Sequence, residues 1–123
     1  MKYMLLIYTD RQAYAALPAE AQGQINQDYF TYTQRIMDSG EWVAGDPLQG
    51  VETATTVRRV GGQRTITDGP FAETKEVLGG YYLVDVKDLD RALELAGQLP
   101  GVQHEIDVIE VRPLLDLSEI MGS

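Results

Sequence analysis

The stretch Tyr3-Met4-Leu5-Leu6-Ile7-Tyr8 is apolar without a break. Its length suits a strand, and a strand apolar at every position is buried on both faces. Successive side chains point to opposite sides, so Met4, Leu6 and Tyr8 belong to one face and Tyr3, Leu5 and Ile7 to the other. Whatever this chain folds into must cover both sides of that strand.

The rest of the chain supplies a cover for one side. From Ala19 to Ser39 the apolar period turns helical: Ile25, Tyr29, Tyr32 and Ile36 form one stripe, Phe30, Thr33 and Met37 widen it, and Gly40 is a C-terminal stop. The segment between, 11–18, reads as a loop. Glu41 to Ala44 is a short strand broken by Gly45-Asp46-Pro47. Thr53 to Val60, the turn Gly61-Gly62, and Gln63 to Thr67 predict a β-hairpin. Tyr81 to Val86 is another strand. Asp88 caps a helix striped by Leu89, Ala92, Leu93, Ala96 and Leu99, ended by Pro100-Gly101. Ile106 to Val111 is the last strand, followed by Arg112-Pro113 and a short apolar tail.

This β–α–β–hairpin–β–α–β order predicts an α+β, ferredoxin-like sandwich with an added β-hairpin, in a single domain spanning 1–123. Two helices cover one face of such a sheet. The expected cover for the other is the same face of a second copy, giving a homodimer.

Composition narrows the function. There is no cysteine and only one histidine, His104, so thiolate clusters and multi-histidine metal sites are not expected, and no metal is assigned. The absence of disulfides suits a cytoplasmic protein. A net charge of −9 disfavours nucleic acid and anionic membrane surfaces. The apolar N-terminal run is shorter than a secretory core of ~7–15 residues, and no stretch approaches the ~18 apolar residues of a membrane span.

The segment Thr67-Asp68-Gly69-Pro70-Phe71 is the main candidate for chemistry. It reads as a sharp bend, with Asp68 as an Asx-turn acceptor, Pro70 starting a helical turn and Phe71 pinning the turn to the core. Asp68, Glu73 and Lys75 would then stand at a pocket rim. Glu110 and Arg112 share a face of the last strand, and Arg112 suits a carboxylate or phosphate. Tyr8, Tyr29, Tyr32, Tyr81 and Tyr82 form a tyrosine-rich set whose hydroxyls reach the edge of a core. The ligand-pocket candidates are Tyr8, Tyr29, Asp68, Phe71, Glu73, Lys75, Tyr81, Glu110 and Arg112. The hairpin arginines Arg58, Arg59 and Arg64 are a solvated face or a contact for a protein partner. No nucleophilic triad, phosphate loop or dinucleotide fingerprint is present.

The segments MKYMLLIY, ETATTVR, TDGPFAETKEVLGGYYLVDVKDLDRALE and IEVRPL occur in this order over nearly the whole chain. Together they resemble the DGPF-domain proteins, a branch of the YCII-related family. The resemblance implies a ferredoxin-like fold pairing as a dimeric α/β barrel. It also implies that no cofactor is needed, since some relatives are cofactor-independent enzymes acting on small aromatic or lactone-type compounds. The DGPF branch often occurs beside extracytoplasmic-function sigma factors, which implies an accessory or regulatory role and a sigma-factor partner. Enzymatic relatives pair a histidine in the first helix with an aspartate after the second helix. Those positions fall near Tyr29 and near Leu99-Pro100, where neither residue type stands. The expectation is therefore small-molecule binding or an accessory role rather than enzymatic activity. A cofactor-independent lyase or isomerase using Asp68, Glu73 or a tyrosine is the alternative.

Overall fold

A computed structural model describes residues 1–122. Strand β1 (Lys2–Asp10) is followed by the short helix α1 (Arg11–Ala15), the long helix α2 (Ala19–Ser39) and strand β2 (Trp42–Pro47). A hairpin of β3 (Thr55–Val60) and β4 (Gln63–Asp68) precedes β5 (Glu76–Asp85), α3 (Leu89–Gly97), α4 (Pro100–Gln103), β6 (Asp107–Pro113) and the C-terminal turn of helix α5 (Leu117–Ile120). Four strands form one antiparallel sheet in the order β2-β5-β1-β6, and the hairpin strands pair only with each other.

β1 lies at the centre of the sheet, paired with β5 on one side and β6 on the other. Its face carrying Tyr3, Leu5 and Ile7 is buried against Tyr32 and Ile36 of α2 and Ala92, Leu95, Ala96 and Leu99 at and beyond α3. Helix α2 has the bounds its periodicity predicts, and Gly40 closes it in the left-handed conformation at φ 80°. The Asp88 carboxylate caps α3 by accepting from the Arg91 N–H at 2.9 Å. Arg91 then grips Glu41, just ahead of β2, through two hydrogen bonds of 2.8 and 2.9 Å, tying α3 to the sheet edge. Within α3, Leu95 rather than Leu93 faces the core, because the helix turns its Ala92-Leu95-Ala96 side to the sheet.

Several local expectations are corrected. Residues 11–15 form a helix because the Asp10 carboxylate accepts from the Ala13 N–H at 3.1 Å. Pro100 does not end a helix but begins α4, where its fixed φ suits the first turn. Strand β5 begins at Glu76, so Gly79 and Gly80 lie inside it rather than leading into it. The register with β1 slips by one residue between Ile7 and Tyr8, leaving an extra residue at Gly79. A Cβ on Gly80 would sit 3.1 Å from the Asp46 carbonyl oxygen, a tight contact that β2 would have to ease by a small shift.

Pro70 starts no helical turn, and Phe71 is 77% exposed, so it does not pin the turn to the core. The turn is held by backbone instead. Gly69, at φ 98°, donates to the Ala54 carbonyl at 2.7 Å; the Thr56 hydroxyl donates to Gly69 and the Arg58 guanidinium to Phe71. The contrast between a core side chain and this ring is measurable by urea unfolding. Leu5→Ala should lower stability by ~2–5 kcal/mol, and Phe71→Ala by under ~0.5 kcal/mol. Equal losses would show that Phe71 is buried by something other than its own chain.

Candidate functional site

A cleft of about 540 Å³ opens between α2 and the helix-facing side of the sheet. Helix α2 contributes Tyr29, Phe30, Thr33 and Met37; the sheet contributes Ile7, Trp42, Gly45, Pro47, Gly80 and Tyr82. The glycines matter here because the wall is bare backbone where other residues would carry side chains. A Cβ on Gly45 would fall 2.5 Å from the Trp42 ring. Trp42 meets Tyr82 edge-on, with centroids 5.3 Å apart, and Thr33 and Tyr82 share a hydrogen bond across the helix–sheet seam.

Asp107, the first residue of β6, also lines the cleft and is only 9% exposed. Its Oδ2 accepts a hydrogen bond from the Tyr29 hydroxyl, and the Tyr29 oxygen accepts from the Gly101 N–H at 3.2 Å. Its Oδ1 is buried without a hydrogen-bond partner. Gly101 makes the arrangement possible. A Cβ there would lie 1.7 Å from Oδ2 of Asp107 and 2.6 Å from the Tyr29 hydroxyl oxygen. Three segments distant in sequence (α2, α4 and the start of β6) thus hold one carboxylate in an apolar wall.

Among the described residues, no lysine, arginine or histidine lines this cleft. Asp46 borders it, but its carboxylate accepts from the Tyr81 hydroxyl at 3.1 Å, in register with the opposite face of the sheet. Asp107 is therefore the charge-bearing group in the cleft wall. No group of acidic or histidine side chains among the described residues could hold a metal ion.

The residues singled out from sequence are not brought together. Tyr29 lies in the cleft. Tyr8, Tyr81, Glu110 and Arg112 fall on the opposite face of the sheet, in register with Val108, Leu6 and Met4, and Arg112 pairs with Glu110 at 3.5 Å. Glu73 and Lys75 border a separate, open hollow under the Gly69-Pro70 turn, near Arg11 and Glu52. Lys75 reaches Asp10 at 3.7 Å, while Asp68 and Phe71 are exposed. Asp107, Gly101 and Trp42 belong to the site and are not among the residues that the sequence singles out. One signal points to Asp107: it alternates with Ile109 and Val111, so it shares the face of β6 that those apolar residues turn to the core.

A four-stranded antiparallel sheet with two helices on one face, and a ligand-sized cleft between them, defines a small α+β ferredoxin-like domain. Residues 1–118 match the YCII-related domain, and the chain belongs to the YCII-related family. It is 34% identical over 114 residues to the uncharacterized protein R00369 of Rhizobium meliloti (strain 1021), covering 93% of this chain and 92% of that protein. Among solved structures, the fold is similar to 5-chloro-2-hydroxyhydroquinone dehydrochlorinase from Burkholderia phenoliruptrix AC1100, in complex with 2,5-dihydroxybenzoquinone. The TM-score is 0.58 and the identity 9%, over 94% of each chain. No helix among the described residues is long and apolar enough to cross a membrane.

Burial, and after it the hydrogen bond to Asp107, push the Tyr29 hydroxyl far above its ordinary range. Burial likewise raises Tyr32 and Tyr82. A raised tyrosine gives stability that is complete below the unfolded value of ~10 and is lost as pH climbs above it, because the unfolded chain then releases the proton and the folded chain does not. Stability to urea should accordingly hold up to about pH 10 and fall beyond it. Tyr29→Phe should make that alkaline fall shallower. An unchanged slope would mean that Tyr29 is not held protonated by its surroundings.

Proposed function

We propose that this protein binds a small, largely apolar molecule in the cleft between α2 and the sheet, and that Asp107 is the group that orients it. The observation that carries this reading is the buried carboxylate with one oxygen bonded to Tyr29 and the other unpartnered. An unsatisfied buried acceptor is costly, on the order of 1–3 kcal/mol. A ligand that donates a hydrogen bond to this carboxylate would recover that cost. The volume suits a compact ring compound, since small-molecule pockets commonly run ~300–1,000 Å³. The apolar walls supply contact area, and Thr9, Asn26 and Gln34 supply polar groups at the border.

A second reading is cofactor-independent lyase or isomerase chemistry. The Tyr29–Asp107 pair supports it: a carboxylate held beside a phenol is suited to taking a proton from a bound compound and returning it. The similar fold of a dehydrochlorinase that binds a quinone-type compound is in keeping with aromatic ligands here. This pair would take the place of the histidine–aspartate pair of enzymatic relatives, on different residues.

Fragment binding by amide and indole NMR tests the site. Hydroxylated and aminated aromatic fragments should shift the Trp42 indole and Gly45, Gly79 and Gly80. Gly101→Ala, which displaces the Asp107 carboxylate, should weaken binding by about tenfold or more, in line with the loss of a charge-assisted hydrogen bond. Shifts confined to 69–77 would move the binding site to the hollow under the turn.

A homodimer formed through the open face of the sheet is part of the same proposal. Val108 and Leu78 are exposed there, beside half-buried Met4, Leu6 and Leu83. Sedimentation equilibrium should give twice the chain mass, and Leu6→Glu should halve it. A monomer mass for the unaltered protein at high concentration would remove the dimer from this account.

A further inference from the structure

We propose, building on the reading of the cleft as a small-molecule site, that its ligand is an organic ammonium ion: a protonated amine carried on an aromatic or branched apolar body. The first ground is charge. The Asp107 side chain is buried to nine-tenths in the cleft wall, yet no lysine, arginine or histidine lines the cleft to balance it. Its hydrogen bond comes from a neutral phenol, whose single proton is committed to Oδ2 and whose oxygen accepts from Gly101. A buried carboxylate is otherwise paired with a cation. The missing partner here is both a positive charge and a hydrogen-bond donor for the orphan Oδ1. An ammonium group supplies both. Oδ1 is closed to solvent as the structure stands, so the carboxyl has to turn about its soft terminal torsion to offer it to the ligand.

The second ground is the wall. Phe30, Trp42 and Tyr82 put aromatic rings on two sides of the cleft. Ring faces attract organic cations as well as apolar bodies. The same features disfavour anions. A carboxylate or phosphate would meet Asp107 with no cation nearby, on a protein of net charge −9. Sugars and other polyols would leave most hydroxyls against Ile7, Met37 and Pro47 without partners.

Three probes of one shape test this: 2-phenylethylammonium, 2-phenylethanol and phenylacetate, titrated at neutral pH into the full chain. Trp42 is the only tryptophan, so its fluorescence reports directly on the cleft. The ammonium ion should bind about tenfold or more tightly than the alcohol, as a charge-assisted bond exceeds a neutral one, and the carboxylate most weakly. Asp107→Asn should bring the ammonium ion and the alcohol to within about threefold, a difference of RT order. The ranking in the unaltered protein decides the matter even where that variant is unstable. If the alcohol or the carboxylate matches or exceeds the ammonium ion at Trp42, the charge class is wrong while the site stands. If none of the three perturbs Trp42, the site itself is wrong.

Discussion

The structure depends on the position of β1 between β5 and β6. A strand that is apolar on both faces is poorly placed at a sheet edge, and at the centre of the sheet both of its backbone edges are paired. With β1 fixed there, its Tyr3-Leu5-Ile7 side becomes the floor on which α2 and α3 pack. The same placement brings the start of β6 beside the end of β1, where Asp10 N–H bonds the Ile106 carbonyl at 2.9 Å. Asp107 is thereby delivered under α2. The cleft is thus a product of strand order and not of a specialised loop.

What holds the cleft open is the absence of side chains at particular places. Gly45 and Gly101 would each collide with a neighbour if they carried a Cβ, and Gly80 would crowd the Asp46 carbonyl. Gly45 leaves bare wall beside Trp42, and Gly101 leaves room for a carboxylate and a phenol. Function of the kind proposed rests on these gaps as much as on the groups that face them.

Much of the fold could be read from sequence. The helix over 19–39, the Gly61-Gly62 hairpin and the Asp88 cap are local signals, and local signals survive into the structure. The site was less legible because it is assembled from Tyr29, Gly101 and Asp107, which are remote in sequence and unremarkable singly. Asp107 is one acid among 19 acidic residues. The eye goes instead to the Asp68-Gly69-Pro70-Phe71 segment, whose turn chemistry is strong. That segment lies away from the cleft, and its ring is exposed because the turn is fastened through backbone to Ala54 and Thr56. A motif dense in turn-forming residues identifies a family more readily than it locates a site.

The hairpin of β3 and β4 has a further consequence. Its strands pair only with each other, and Arg59 stands directly opposite Arg64. Like charges across a strand pair weaken the ribbon they share. Added salt screens that repulsion, so this arm should tighten with ionic strength while surface ion pairs such as Arg11–Glu52, at 3.1 Å, loosen. Amide exchange at Val57 and Ile66, which pair midway along the ribbon, would slow as salt rises. The arm would then behave as a separate unit of stability, with its own sensitivity to the ionic medium and little share in the cooperativity of the main sheet.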